Sequence, residues 1–175
     1  MDQSFVSIYL VLLLVLLGAA AIFIFRQVFR TRRIEKNLNT LQNKLSKSRG
    51  NTQEYFEMGS IMLSKKLHIQ AVSLFQKAIK QAKKEGEEEV SPIYNALGYA
   101  YFAQEQYDLA IKQYKEALDR DPTYVTAFNN LGHAYEKKNL GQQALQAYEN
   151  ALALDEKNAI AKKRAQSLRR RLVIS

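Results

Sequence analysis

Residues 91–124, SPIYNALGYAYFAQEQYDLAIKQYKEALDRDPTY, and residues 125–158, VTAFNNLGHAYEKKNLGQQALQAYENALALDEKN, carry one pattern twice. In the first copy Tyr94, Leu97-Gly98, Tyr101, Ala110, Tyr114, Ala117 and Pro122 fall in order; in the second Phe128, Leu131-Gly132, Tyr135, Ala144, Tyr148 and Ala151 take the same offsets. Gly98 to Gly132 is a step of 34. Residues 52–90 hold an earlier copy, in which Met58-Gly59, Met62, Ala71, Phe75 and Ala78 keep the internal spacing. The step from Gly59 to Gly98 is longer, because extra chain lies around Lys83–Glu89, where the terminal proline is missing. Gly98 and Ala110, twelve apart, suit a close approach of two antiparallel helices, since larger side chains would push the helices apart. Leu97, Tyr101 and Tyr114 then fill the space between one hairpin and the next. A single hairpin leaves an apolar face exposed, so three units must stack and end in a cap. Ala159, Ala161, Ala165, Leu168 and Leu172 are expected to supply it, with Lys162, Lys163, Arg164 and Arg169–Arg171 facing solvent. Ser91 is the expected N-cap of its helix, with Pro92 in the first helical position.

This arrangement resembles the tetratricopeptide-repeat (TPR) family, whose unit is a 34-residue helical hairpin with this small and aromatic pattern. The likeness covers residues 52–158 as three units (52–90, 91–124 and 125–158), followed by a basic capping helix over 159–175. Tyr94 or Phe128 replaces the usual first Trp, and only Pro122 keeps the terminal proline. The implied fold is all-α: a three-repeat helical-hairpin solenoid with a C-terminal cap. In such proteins the first helix of each hairpin lines a concave surface. By that resemblance the partner-binding groove would be lined by Phe56, Ser60 and Leu63, then Asn95, Tyr99 and Phe102, then Asn129, His133 and Glu136. Aromatic rings, amides and a little charge suit an extended peptide or a partner's helix. Some TPR proteins grip chaperone C-termini with a clamp of basic residues and Asn. Here Phe56 and Ser60 stand where that clamp needs Lys and Asn, and Thr126 and Asn130 replace its later basic pair, which argues against chaperone-tail docking.

Before the repeats, the run from Phe5 to Phe25, FVSIYLVLLLVLLGAAAIFIF, carries no charge. As a helix it covers roughly 30 Å, the thickness of a bilayer's hydrocarbon core, and satisfies its own backbone groups. Ala19-Ala20-Ala21 resembles a signal-peptidase site, but a signal peptide carries positive charge before its apolar stretch, where only Asp2 is charged here. The basic residues follow the run, beginning with Arg26. The expectation is a retained anchor at 5–25, with residues 26–175 on the cytoplasmic side. In the basic juxtamembrane segment 26–51, Ile34, Leu38, Leu41 and Leu45 share one helical face. That face fits either a short self-associating seam or an amphipathic spacer. Its basic residues would attract anionic headgroups, and Ser48–Asn51 reads as the break before the folded domain.

The 175 residues bear a net charge of +9, and its distribution argues against nucleic acid. Residues 26–49 hold eight Lys/Arg against Glu35, and residues 159–175 hold six with no acid. Residues 52–158 carry twelve basic and fifteen acidic side chains, so the repeats themselves are acidic. No Cys and two His leave no thiol chemistry and little for a metal. His133 and Glu136 share a helix face without a third ligand or nucleophile, His68 falls in a turn where it is expected to be solvated, and no phosphate-binding Gly loop is present. Glu87-Glu88-Glu89 reads as a solvated helix start. No catalytic, metal or cofactor site is expected.

An anchor, a basic spacer, three TPR units and a basic cap in this length resemble the small cyanobacterial and plastid-encoded TPR proteins that assist photosystem I assembly. That resemblance implies a thylakoid location, a soluble domain on the cytoplasmic or stromal side, and photosystem I subunits or assembly proteins as partners. Two other roles fit the same features: an anchored scaffold for secretion, envelope or import machinery, and a structural protein that self-associates through Ile34–Leu45.

Overall fold

The computed structural model describes residues 3–174, with side chains from 8 to 172; Asp2 and Ser175 lie outside the described residues. Among the described residues there are eight helices and no strands. They are α1 (Gln3–Lys47), α2 (Thr52–Ser64), α3 (His68–Glu85), α4 (Ser91–Phe102), α5 (Tyr107–Arg120), α6 (Val125–Lys137), α7 (Gly141–Leu154) and α8 (Ala159–Ile174). Two compact units result, residues 1–48 and residues 49–175.

The first unit is α1 by itself, one unbroken helix in which the apolar run continues into the basic segment. Its large apolar side chains from Ile8 to Phe25 are more than half exposed, and the helix is long and apolar enough to cross a membrane. Ile34, Leu38, Leu41 and Leu45 lie in its C-terminal half, on one face by their spacing.

In the second unit each helix packs on the next, making hairpins α2–α3, α4–α5 and α6–α7, with α8 against α7. The first helices α2, α4 and α6 approach one another more closely than the second helices do, so the stack curves toward them.

Each hairpin closes on a glycine laid over an aromatic ring sixteen positions later. A Cβ on Gly59 would stand 2.6 Å from the Phe75 ring, one on Gly98 2.6 Å from Tyr114, and one on Gly132 2.8 Å from Tyr148. Real Cβ contacts are longer, so only glycine lets these rings lie flat against the neighbouring backbone. Phe75, Tyr114 and Tyr148 are also the three largest fully buried side chains. Ala110 carries the expected close approach, its carbonyl oxygen 3.2 Å from the Gly98 Cβ position. Between hairpins, Tyr114 and Ala110 pack with Leu131, Ala134 and Ala147, and the Gln76 amide donates to the Tyr101 hydroxyl at 3.0 Å.

Seven positions after each glycine the chain turns in the left-handed region without glycine, at Lys66 (φ 62°), Glu105 (φ 60°) and Asn139 (φ 58°). The following N–H groups return to the helix just ended: Leu67 to Met62, Gln106 to Tyr101 and Leu140 to Tyr135, at 2.9 to 3.0 Å. This Schellman closure satisfies carbonyls that a helix end would otherwise orphan.

The joints between hairpins differ. The Asp121 carboxylate accepts from the Thr123 N–H (2.9 Å) and hydroxyl (2.6 Å), and one repeat later Asp155 accepts from the Lys157 N–H (3.1 Å). The aspartate turn therefore survives without a proline after Asp155. The first joint is built otherwise: α3 runs to Glu85 and stops at Gly86, with φ 69°. Glu85 accepts from the hydroxyl (2.6 Å) and N–H (3.2 Å) of buried Thr52, tying the two ends of hairpin one. These bonds hold its carboxyl below the usual range. Asn51 and Glu54 form a capping box at the start of α2.

Three local expectations are corrected. Val90, not Ser91, is the N-cap of α4 and makes no side-chain cap bond; Ser91 and Pro92 are already helical, where a missing N–H costs nothing. Glu87–Glu89 lie in the loop after Gly86 and begin no helix. His68 opens α3 half-buried, and its Nδ1 is buried without a partner.

Candidate functional site

The nine inner-face positions fall on α2, α4 and α6. On α2 they are tied within their own hairpin: the Phe56 ring lies 5.9 Å from that of Phe75, the Ser60 hydroxyl donates to the Phe56 carbonyl at 2.9 Å, and Leu63 is half-buried. The α4 and α6 sets meet each other. The Asn130 amide donates to the Asn95 carbonyl oxygen at 2.9 Å, while the Asn95 amide reaches the Tyr124 hydroxyl at 3.5 Å. The Phe102 ring lies 4.7 Å from that of His133 and 5.3 Å from that of Tyr107. Tyr99 is 48% exposed and free to meet a partner.

Glu136 has a different environment from its neighbours. Its side chain is only 13% exposed and accepts from the Tyr148 hydroxyl at 2.8 Å. Arg171 stands 3.3 Å and Arg164 3.6 Å from its other oxygen. Glu136 thus locks α6 to α7 and α8, and its lone pairs are largely spoken for. Burial raises the Tyr148 hydroxyl well above its ordinary range, and Glu136 adds to that shift by accepting the proton's hydrogen bond. Beside it, His133 is held below its usual 6.5, chiefly by burial and then by the Arg164 charge, with Glu136 pulling the other way. The half-buried imidazole is therefore neutral at pH 7.

Between α6 and α8 the inner face opens into a cleft of about 620 Å³. Asn129, Asn130 and His133 form one wall, Ile160, Lys163, Arg164 and Ser167 the other, and Tyr148 reaches it from α7. The basic α8 residues are exposed, as expected for a cap, and two of them, Lys163 and Arg164, also border this cleft. A signal was present in the sequence: Lys163, Arg164 and Ser167 stand one full repeat after Asn129, Asn130 and His133. The helix takes the place of a fourth inner helix, and these two basic residues border the groove. Asn158 starts it, accepting from the Ala161 N–H at 3.0 Å and from the Asn129 amide at 3.3 Å. The Asn129 carbonyl oxygen is buried with no donor facing it. Among the described residues no cluster of three or more His, Asp and Glu could hold a metal ion.

Family comparison agrees with the repeat. Residues 93–139 match a family described as TPR repeat and residues 125–158 one described as tetratricopeptide repeat. The structure is similar to that of MamA, with a TM-score of 0.72 at 18% identity over 79% of each chain, a likeness of fold alone. The chloroplastic TPR domain-containing protein PYG7 of Arabidopsis thaliana is 38% identical over 94% of this chain, which spans 54% of that protein's length. Protein ycf37 of Cyanophora paradoxa is 33% identical over 164 residues, covering 94% of this chain and 95% of the relative. A likeness at that identity, running through the long apolar helix as well as the repeats, places the chain: it belongs to the ycf37 family of tetratricopeptide-repeat proteins.

Proposed function

We propose that the protein is a membrane-anchored adaptor whose inner face binds a protein partner, and that it assists photosystem I assembly at the thylakoid membrane. The carrying observation is the inner face itself, where Tyr99, Phe102, Asn129 and His133 present rings and amides beside a cleft of about 620 Å³. Such a surface, held on rigid paired helices, suits an extended segment of another protein. The apolar stretch of α1, exposed along its length, supports the anchor. The basic residues that follow it support a cytoplasmic or stromal location for residues 26–175. The photosynthetic assignment draws on the relatives, one of them chloroplastic, and on the likeness in architecture along nearly the whole chain.

The test is affinity capture from solubilised thylakoid membranes with the full chain as bait, beside a variant carrying Tyr99→Ala and Phe102→Ala. Recovery of photosystem I subunits or their assembly proteins by the native chain, and loss with the variant, is the expected result. Recovery of secretion or envelope proteins instead would keep the adaptor and remove the photosynthetic role. Equal recovery by both baits would move the binding surface off the inner face.

A further inference from the structure

The capping helix does more than close the stack. Because α8 repeats the position of α6 one unit on, Lys163, Arg164 and Ser167 face the cleft that Asn129, Asn130 and His133 line from the other side. The charges in that cleft are unbalanced. Glu136 is the acid in ion-pair reach of Arg164, and it already accepts from the Tyr148 hydroxyl and Arg171. Lys163 has no ion-pair partner among the described residues. Arg164 stands 3.6 Å from Glu136, longer than the 2.7–2.9 Å or so of a full charge-assisted bond, so it can turn to another carboxylate at little cost.

The rest of the lining is neutral. Ile160, 62% exposed on the α8 wall, offers apolar surface across the cleft from Asn129 and Asn130. Cations, amides and an apolar side chain lining one cleft suit a peptide with acidic residues better than a free inorganic anion.

We propose that this cleft holds an acidic segment of the protein partner, with Lys163 and Arg164 on its carboxylates and His133 adding a third contact once protonated. The proposal rests on the reading of the inner face as partner-binding. His133 faces Phe102 from α4, Glu136 and Lys137 on α6, Tyr148 on α7, and Lys163 and Arg164 on α8. In the free protein these surroundings favour the neutral imidazole. A carboxylate seated among them favours the imidazolium, so binding takes up a proton and tightens as pH falls.

The experiment uses the full chain in detergent micelles with a labelled peptide containing four consecutive glutamates, and the same peptide with glutamines, followed by fluorescence anisotropy from pH 7.5 to 5.5. The glutamate peptide should bind saturably and the glutamine peptide on the order of tenfold more weakly. Affinity should rise severalfold toward pH 5.5. Lys163→Glu should abolish the preference, and as an exposed, unpaired side chain it leaves the thermal melt in place. His133→Gln should flatten the pH profile while retaining the preference. Equal binding of the two peptides, no saturable binding, or an unaltered profile in Lys163→Glu overturns the proposal. Repeating the thylakoid capture with Lys163→Glu separates it from the broader reading. Loss of partners by Tyr99→Ala/Phe102→Ala with full retention by Lys163→Glu sinks the acidic cleft and leaves the adaptor standing.

Discussion

The interior of the hairpins and the inner face of the stack are built from the same helices under opposite constraints. Inside, the geometry repeats: glycine over ring at Gly59–Phe75, Gly98–Tyr114 and Gly132–Tyr148, then a left-handed turn seven positions on. Along the inner face little repeats. Equivalent positions read Phe56, Asn95 and Asn129, then Ser60, Tyr99 and His133, and α8 contributes Lys163 and Ser167 at the corresponding step. A close approach such as the 2.6 Å between the Gly98 Cβ position and Tyr114 admits one solution, so it recurs in every unit. A solvent-facing row is free to differ, and it is there that the proposed partner would bind.

The sharpest way to break this comparison is to place a side chain where the interior forbids one. Gly98→Leu drives Cβ into the Tyr114 ring and toward the Ala110 carbonyl, so it is expected to destabilise the repeat domain by about 3 kcal/mol. Thermal melting of the full chain in micelles, followed by circular dichroism, would show it; an unshifted melt would mean the helices separate freely. Gly18→Leu is the control, since nothing lies near that Cβ and the helix should not respond.

Inner-face substitutions should cost less, and unequally. Asn95→Ala leaves Asn130 without its acceptor and Tyr124 without its donor, a loss of about 1 kcal/mol. Asn129→Ala gives up one 3.3 Å bond and removes an orphaned carbonyl oxygen, so it should be close to neutral. Urea unfolding at fixed pH distinguishes them. If the two cost the same, the Asn95 network is not the joint between α4 and α6 that its geometry describes.

The same division explains what could be read from the amino acids. The hairpins were legible because Gly98, Ala110 and Tyr114 are constrained by contact, and contact leaves a fixed spacing. The long apolar helix was legible from the absence of charge between Phe5 and Phe25. Features resting on a single side chain's choice of partner left no such trace. Ser91-Pro92 looks like cap and first turn, yet Val90 takes the cap because the chain enters α4 one residue earlier. Glu136 looks like a groove residue, and only the three-dimensional approach of Tyr148, Arg164 and Arg171 ties it down. Lys163 and Arg164 are the solvated charges they look like, and that they also border the cleft left no aromatic or glycine signature, although their one-repeat step from Asn129 and Asn130 was there to be counted.

The turns offer a gain rather than a loss. Lys66, Glu105 and Asn139 hold left-handed backbone at φ near 60°, a conformation that costs a non-glycine residue roughly 1 kcal/mol. Lys66→Gly and Glu105→Gly should each stabilise by about 0.5 to 1 kcal/mol, and Asn139→Gly by less, since asparagine tolerates this region. A melt that rises for the first two and hardly moves for the third would show equivalent turns carrying unequal strain. A fall in all three would mean that the side chains themselves brace the turns.

The smallest effect should come from His133, where interior and inner face meet. Its imidazole is held below the ordinary 6.5, first by burial and then by Arg164. Between the folded and unfolded values the unfolded chain binds more protons, so stability rises with pH there. The contribution is complete above 6.5 and lost as pH falls through the depressed folded value. Because the ring is only half-buried, water screens much of it, and the change should be a slight lowering of the melt from pH 7 to pH 5 that His133→Gln removes. The sign matters more than the size. Without a ligand, acid should loosen the α4–α6–α8 junction; with an acidic peptide in the cleft the same protonation should tighten it. A reversal of the His133-dependent slope on adding the glutamate peptide would tie the imidazole to the groove. An unchanged slope would leave it as a half-buried histidine packed against Phe102.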